Sequence, residues 1–196
     1  MTDVYPVTDD QQKLSNPATW PLLVHRFGRA AQRLPQPLRA IGSRVYGAAK
    51  LGLDLTIGTV LHRETEIGEG LVLIHAHNIK IHPTAVIGAR VRINHDVTIG
   101  MQPDSRVAPR IGNDVLVGAG AKILGAITIG DGATIAANSL VISDIPAGHT
   151  AMGVPARPLP QRRSNVESIE SVRARVRREP PRDQPRDQPP ASGASK

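Results

Sequence analysis

The sequence predicts an all-β chain folded as a parallel β-helix, and three observations carry that prediction. Aliphatic residues recur at every sixth position, glycine often follows them, and aromatic residues make up only 2% of the chain. A period of six fits neither an amphipathic helix nor a long alternating strand. It fits short strands that each form one flat side of a coil. The core is therefore expected to consist of Ile, Val, Leu and Ala.

The six-residue repeat is regular over most of its length. Glycine after the aliphatic residue permits the corner between two sides. Upstream, the phase runs through Leu61 and Ile79 and slips by two residues to reach Ile81. From Leu61 to about residue 143, the period predicts about five coils of three sides each. Ten of eleven positions are β-branched aliphatics and one is Ser105, in the series Ile81, Ile87, Ile93, Ile99, Ser105, Ile111, Val117, Ile123, Ile129, Ile135 and Val141.

Helical patterns flank the repeat and divide the chain into three segments. Residues 1–54 form a helical segment, 55–160 the β-helix domain, and 161–196 a short helix with a disordered, basic, Pro-rich tail. In the last segment Ser164 and Glu167 match a capping box, and Pro-Arg-Asp-Gln is repeated beyond Glu179. The first segment has two helical patterns, Trp20, Leu23, Phe27, Ala31 and Leu34, then Leu38, Ile41, Val45 and Ala48 after Pro37.

Composition and charge exclude several classes of protein. The chain has no cysteine, which removes disulfide scaffolds, Cys-ligated zinc and thiol nucleophiles. It has no run of about 20 apolar residues and no secretory signal at residues 1–10, so we expect a cytoplasmic protein without membrane insertion. The net charge of +7 divides into +4 for residues 1–50, −1 for 51–160 and +4 for 161–196. Solvated terminal arms, and no nucleic-acid partner, are therefore expected.

Three segments resemble the hexapeptide-repeat acyltransferases over about residues 55–160. Leu-Ile-His-Ala-His-Asn at 73–78 resembles the active-site histidine turn of serine acetyltransferases, residues 117–125 are similar to their coenzyme A face, and Ala-Met-Gly-Val-Pro-Ala-Arg at 151–157 looks like the closing signature. The resemblance implies a left-handed coil, a homotrimer of prisms, and acetyl-CoA as cosubstrate in a groove between prisms. We expect no metal. It implies His75 as general base, Ala119 and Ala137 against the pantetheine arm, and Arg157 at a coenzyme A phosphate.

His75 and His95 form the candidate catalytic pair. An alcohol attacks a thioester only as its proton is removed, and a neutral histidine suits that task near neutral pH. His75 and His95 are 20 residues apart, and subtracting the two-residue slip leaves 18, the length of one coil. Each histidine stands two residues after an inward-facing aliphatic residue. We expect them to stack about 4.8 Å apart, with one ring neutral at pH 7. His95 would assist the acceptor or the oxyanion; the alternative is a surface turn residue.

Three departures from the serine acetyltransferase pattern favour a different acceptor. That family has Asp where Ile74 stands, Arg-His-Pro where residues 107–109 read Val-Ala-Pro, and the orienting Asp where Val60 stands. The chain looks more like sugar O-acetyltransferases of the colanic acid type, which would acetylate a sugar or polysaccharide precursor. Serine O-acetylation is the alternative. In either case the loop at residues 101–110 would face the acceptor, with Asp104 and Arg106 as candidate contacts.

Without the family's acids, the group that orients His75 is open. Asp96, Glu64, Glu66 and a backbone carbonyl are the candidates, and the sequence does not choose among them.

Two interpretations of another class remain. The first is a metal protein like the trimeric carbonic anhydrases that share this prism, in which imidazoles bind zinc across a subunit boundary. The spacing of His77 and His82 fits that family, but its third ligand is missing. The second is a purely structural trimer, which would not bind acetyl-CoA. The histidines that prompt the metal interpretation are His62, His75, His77, His82 and His95.

Overall fold

The computed structural model describes residues 17–160, so the helix and tail expected at 161–196 lie outside the described residues. A 3-10 helix (Pro17–Thr19) and two α-helices, α1 (Trp20–Gln32) and α2 (Leu38–Ile57), precede the strands. The strands are β1 (Val60–Leu61), β2 (Glu66–Ile67), β3 (Val72–Leu73), β4 (Lys80–Ile81), β5 (Val86–Ile87), β6 (Arg92–Ile93), β7 (Thr98–Gly100), β8 (Arg110–Ile111), β9 (Leu116–Val117), β10 (Lys122–Leu124), β11 (Thr128–Ile129), β12 (Thr134–Ile135), β13 (Leu140–Val141), β14 (His149–Gly153) and β15 (Ala156–Pro160).

The strands form three flat sheets that are the sides of a prism. The first sheet has the order β1-β4-β7-β10-β13, the second β11-β8-β5-β2, and the third β15-β14-β12-β9-β6-β3. Each strand therefore pairs with the strand three places along the chain, and these pairs are parallel. The exceptions are at the closing end, where β14 pairs in parallel with β12, two places back, and β15 folds back antiparallel on β14. The predicted parallel β-helix is confirmed, while its left hand stays a prediction.

Aliphatic side chains from all three sheets fill the interior. Ile93, Val117, Ile123 and Ile129 are each 0% exposed, and all of them stand at positions of the six-residue repeat. At about 25 cal/mol per Å² of apolar surface, such burial is the main force that holds the coils together. The prediction of a core without aromatic rings is confirmed for the prism.

The single exception in the repeat, Ser105, is not a side of the prism. Strand β7 pairs with β10 through Thr98 and Lys122, which are 24 residues apart, whereas β10 pairs with β13 at a distance of 18. The six extra residues form a loop between β7 and β8. Ser105 lies in this loop, which was expected at residues 101–110, and the aliphatic series continues beyond it because the loop leaves the coil and rejoins it in the same phase.

The two-residue slip upstream is also visible in the strand register. Leu61 lies opposite Ile81, 20 residues later, and Leu73 lies opposite Ile93. The two extra residues are accommodated in the turn between β3 and β4, so the strands on either side keep their inward positions. This turn carries the histidine motif, and the slip is therefore a feature of the candidate site.

Helices α1 and α2 cover the first coil. The Nε2 atom of His25 donates to the carbonyl of Thr65 at 3.1 Å, and the hydroxyl of Tyr46 donates to the carbonyl of Leu61. Helix α2 continues to Ile57, three residues beyond the predicted boundary at 54, and ends at Gly58 with φ +67°. Because Asp54 lies in its last turn, the boundary falls inside the helix. None of the helices within residues 17–160 is both long and apolar enough to cross a bilayer.

Candidate active site

The turn between β3 and β4 holds His75 in an unusual backbone conformation. His75 and Asn78 have φ values of +53° and +52°. Asn tolerates this left-handed region better than most residues, whereas for a histidine it is uncommon. The turn is fixed by two backbone hydrogen bonds, from His77 to the carbonyl of His75 at 2.6 Å and from Asn78 to that of Ile57 at 2.8 Å. Asn78 thus supplies the left-handed conformation at the end of this turn.

His75 and His95 lie beside each other on successive coils. Their ring centroids are 6.1 Å apart and the ring planes meet at 63°. The predicted placement in one column is confirmed, because the strands before them pair Leu73 with Ile93. The expected stacking at about 4.8 Å is not found, because the rings meet edge to face at 6.1 Å. His75 is exposed, whereas His95 is half-buried. The Nδ1 atom of His95 is buried and has no hydrogen-bond partner within residues 17–160.

The histidines share one corner of the prism with the residues expected to hold coenzyme A. Strands β3, β6, β9 and β12 are neighbours in the third sheet, and each ends at the same corner. His75, His95, Ala119 and Ala137 each follow the inward aliphatic of one of these strands by two residues. Successive coils are about 4.8 Å apart. The corner thus carries two imidazoles and then two small side chains in a row.

The small side chains at this corner fit a close approach of the backbone. The amide of Asn138 donates to the carbonyl of Ala119 at 2.8 Å, which locks the two coils together there. A Cβ atom on Gly118 would lie 2.6 Å from the amide nitrogen of Ala137. Residues larger than glycine and alanine would separate the coils or block the corner, so an extended ligand can lie along it.

No acid orients His75 within the described part of the chain. The carboxylate of Asp96 accepts a hydrogen bond from the side chain of Asn78 at 2.8 Å. Glu64 pairs with Arg63 at 3.0 Å; burial opposes its ionisation, but the hydrogen bond from Arg63 leaves the pKa of Glu64 below its usual value. The ring of His75 makes no hydrogen bond to any described residue, so the orienting group stays open in a single chain.

Lys122 belongs to this corner and was not anticipated from the sequence. Its Nζ atom donates to the carbonyl of Asp96 at 2.6 Å, which ties the turn after β6 to strand β10. The signal that could have found it is its place in the repeat, one residue before the inward Ile123, where a cation faces outward from a side next to the histidine corner. It supports the turn that carries His95.

The loop at residues 101–110 lies at a different corner. It follows β7 of the first sheet, whereas the histidines follow strands of the third sheet. Its Gln102 lies against Gly125, which also follows a strand of the first sheet. Asp104 and Arg106 are exposed, and one chain does not bring them to its own His75. Their role as acceptor contacts stays a prediction that requires a second subunit.

The five histidines of the metal interpretation fall into two groups. His62 and His82 follow the paired residues Leu61 and Ile81 of the first sheet, away from His75 and His95. Burial, assisted by the charge of Lys50, lowers the pKa of His62. Among residues 17–160, three or more His, Asp or Glu side chains do not gather in a group able to hold a metal ion.

Arg157 lies in the closing hairpin on the same sheet. It is exposed and pairs across the hairpin with Met152. Strand β14 pairs with β12, so this hairpin extends the sheet from which Ala119 and Ala137 project. The amide of Gly153 donates to the hydroxyl of Ser139 at 3.2 Å, and Ser139 is buried. The role of Arg157 toward a coenzyme A phosphate stays a prediction.

Comparison with known proteins gives a consistent result. Residues 108–143 match the family described as bacterial transferase hexapeptide (six repeats). A serine acetyltransferase of Helicobacter pylori (strain J99) is 43% identical over 102 residues, which are 51% of this chain and 60% of that protein. The chain thus spans less than two thirds of the length of this relative.

Solved structures agree with this similarity. Neisseria gonorrhoeae serine acetyltransferase in complex with serine is 34% identical, with a TM-score of 0.60, over 70% of this chain and 55% of that chain. Serine acetyltransferase from Brucella abortus strain S19 is 30% identical, with a TM-score of 0.56, over 75% of this chain and 71% of that chain. The Brucella abortus protein has also been solved in complex with coenzyme A.

These relatives correct one prediction and establish the family. They are serine acetyltransferases and not members of the sugar O-acetyltransferase branch that the sequence was thought to resemble more closely. The alternative, serine O-acetylation, is therefore better supported than the sugar acceptor. This chain covers 71% of the Brucella abortus protein at 30% identity, and its residues 108–143 match the hexapeptide family. The chain belongs to the hexapeptide-repeat acyltransferase family.

Proposed function

We propose that this chain is an acetyl-CoA-dependent O-acetyltransferase that acts on the hydroxyl of L-serine with His75 as general base. The observation that carries the proposal is the shared corner, where two imidazoles and two alanines follow one another on successive coils. A thioester laid along Ala137 and Ala119 would reach the histidines at its acetyl end. Further support comes from the relatives, one solved with serine and one with coenzyme A.

The chemistry follows from the exposed imidazole. A ring nitrogen of His75 takes the proton of the acceptor hydroxyl as its oxygen attacks the thioester carbon. The C–S bond then breaks, and the proton passes from the imidazolium to the departing thiolate, which gives an ester and free coenzyme A. Positioned base catalysis of this kind contributes about 10²–10⁴ in rate.

His95 is the candidate for the second role at this corner. Its ring lies 6.1 Å from that of His75, so an acceptor or an oxyanion can contact both rings. A donor aimed at the developing oxyanion stabilises the transition state more than the ground state. The buried Nδ1 atom of His95 is without a partner among the described residues, which leaves its other ring nitrogen as the one that faces the corner.

The complete site is proposed to form in a homotrimer. Asp104 and Arg106 lie at another corner of the prism from the histidines, so a neighbouring prism is needed to bring an acceptor loop to His75. A closed ring of three identical heterologous contacts would place the histidine corner of each subunit against the loop of the next. The cytoplasm is the proposed location, since acetyl-CoA is available there.

The departures from the serine acetyltransferase pattern define a second candidate acceptor. Ile74 and Val60 leave His75 without a carboxylate beside it, and such an acid would also attract the ammonium group of serine. A neutral hydroxyl compound such as a sugar does not need that charge. This candidate differs from the first only in the acceptor and keeps His75, His95 and acetyl-CoA.

Release of free coenzyme A tests the proposal. Because the chain has no cysteine, a thiol reagent reads the product without background from the protein. The purified chain is given acetyl-CoA with L-serine, with a panel of sugars and nucleotide sugars, and with no acceptor. Release that depends on serine supports the proposal. Release only with a sugar moves the assignment to the second candidate, and none with any acceptor contradicts acyl transfer.

A further inference from the structure

The outer surface of α1 and α2 is apolar to an unusual degree. Nine of the fifteen large apolar side chains that are exposed in the described residues lie on or between these two helices. Soluble proteins rarely leave such side chains clustered in one region unless the region binds something. We call this set the helical surface; its apolar members are Trp20, Leu23, Phe27, Leu34, Leu38, Ile41, Val45, Leu51 and Leu55.

The exposed apolar residues of α1 form a stripe beside its buried face. With 3.6 residues per turn, Trp20, Leu23 and Phe27 fall on one side of α1. The residues that face the prism and α2 are Pro21, His25, Gly28 and Ala31. Packing on the first coil therefore leaves much of this apolar stripe accessible.

A basic stripe runs beside the apolar one. Arg26 and Arg29 of α1, and Arg33 at its C-cap, recur at helical spacing along the side of the helix next to the apolar stripe. Arg26 and Arg33 are exposed and Arg29 is half-buried, and on α2 Arg39 and Arg44 are exposed. Within the described residues, none of these five arginines forms an ion pair with a carboxylate.

Net positive charge is concentrated on the helices, and the prism has no net charge. Residues 17–58 contain six Lys and Arg and one Asp, whereas residues 59–160 contain eight basic and eight acidic side chains. A second copy that docked through the same surface would bring two sets of six cations together. A partner with anionic groups and an apolar interior would match both the positive charge and the exposed apolar side chains of the helical surface.

From these observations we infer that the helical surface binds the anionic phospholipid headgroups and outer acyl region of a bilayer. Helices of this type lie in the plane of the interface, with aromatic and aliphatic side chains in the acyl boundary and Arg or Lys among the headgroups. Helix α2 is too polar to cross a bilayer, so the association is peripheral. The inference does not depend on acyl transfer or on its acceptor.

Trp20 provides a direct probe, because it is the only tryptophan of the chain and is 55% exposed. The full chain is mixed with vesicles of phosphatidylcholine alone, or of phosphatidylcholine with phosphatidylglycerol. We expect Trp20 emission to shift to shorter wavelength and the protein to float with the anionic vesicles only. High salt should weaken the binding. No response to anionic vesicles, or equal binding to both kinds, overturns the inference.

Paired variants separate the two parts of the surface. Each arginine near an anionic membrane contributes about fivefold to partitioning, so Arg26→Gln with Arg33→Gln should weaken vesicle binding by more than tenfold. Leu23→Ser with Phe27→Ser should abolish it. Lys80→Gln, an exposed lysine on the prism, is the matched control and should bind as the wild type does.

Two results would assign the surface to another occupant. If Leu23→Ser with Phe27→Ser lowers the mass of the particle in solution while the wild type ignores vesicles, the surface joins two copies of the chain. If the wild type binds a duplex oligonucleotide and ignores vesicles, the cations serve a nucleic acid. Either result overturns the inference.

Discussion

At the scale of single residues, the backbone of His75 matters as much as its ring. A histidine with φ +53° is strained relative to the usual β or α regions. The turn stabilises this conformation, because Asn78 forms hydrogen bonds to the carbonyl of Ile57 in α2 and to the carboxylate of Asp96 on the next coil. The ring is thereby held at the corner and directed away from the core, where an acceptor can reach it.

Removal of the base is the most direct test at this scale. We expect His75→Ala to lower turnover about 10²–10⁴-fold, because the hydroxyl then loses its positioned proton acceptor. His95→Ala should lower turnover less. His77→Ala is the matched control, since His77 is an exposed histidine of the same turn and should stay near the wild-type rate. The rates come from thiol release, and circular dichroism reports the fold. Equal rates for His75→Ala and the wild type would refute the assignment.

His25 is predicted to make stability depend on pH. Burial is the main cause of its lowered pKa, while the hydrogen bond to Thr65 opposes the shift. The folded state therefore holds His25 neutral more strongly than the unfolded chain does. Its contribution to the free energy of unfolding is complete above the unfolded pKa near 6.5 and is lost as the pH falls through the lower folded pKa.

Chemical denaturation at about pH 7.5 and about pH 5.5 measures this effect. The wild type should lose stability at the lower pH, and His25→Gln should lose less, because glutamine can still donate to the carbonyl of Thr65 but does not titrate. His62 also has a pKa lowered by burial, so His62→Gln gives the second contribution for comparison. An equal loss in the wild type and His25→Gln would show that His25 does not couple folding to pH.

At the scale of elements, the coils depend on glycines that let one corner lie against the next. A Cβ atom on Gly88 would lie 2.5 Å from the carbonyl oxygen of Gly112 on the following coil. No side-chain rotation relieves that contact, because the obstructing atom belongs to the backbone. We expect Gly88→Ala to destabilise the fold by about 1–3 kcal/mol, as for other overpacked sites.

Gly47→Ala is the control for this prediction. Gly47 lies in α2, and a Cβ atom there would meet no atom within 4 Å. Alanine is the better helix former by up to about 1 kcal/mol, so this variant should be at least as stable as the wild type. Denaturant midpoints for both variants decide the matter, and similar values for Gly88→Ala and the wild type would contradict the steric account.

The elements that the sequence predicted are those whose pattern is local. The six-residue period arises because each side of the prism consists of one short strand and one corner. The strands and the His75–His95 register could therefore be derived from Leu73, Ile93 and the slip before Ile81. The end of α2 could not, since Leu55 is exposed and continues no buried pattern. The six extra residues of the loop that contains Ser105 leave the phase of the repeat unchanged, so the period alone does not show where the chain leaves the coil.

At the scale of the whole molecule, the candidate site is divided between two corners of the prism. His75 and His95 stand after strands of the third sheet, and Asp104 and Arg106 stand in the loop after β7 of the first sheet. Sequence reasoning assigned all four to one site, since residue spacing alone does not reveal which corner a loop extends. If the assignment is right, each site uses the histidines of one subunit and the loop of its neighbour.

Mixing two inactive chains tests that arrangement. One chain carries His75→Ala and the other Arg106→Ala, and the two are unfolded together, refolded and assayed for thiol release. In trimers formed at random from equal amounts, a site is intact when a subunit with His75 is followed by one with Arg106, so about a quarter of wild-type activity should return. The control mixes His75→Ala with itself and should stay inactive.

Because a site contained within one chain cannot be restored by mixing, an inactive mixture of two inactive variants would contradict the shared site. Full activity of Arg106→Ala alone would remove that residue from it.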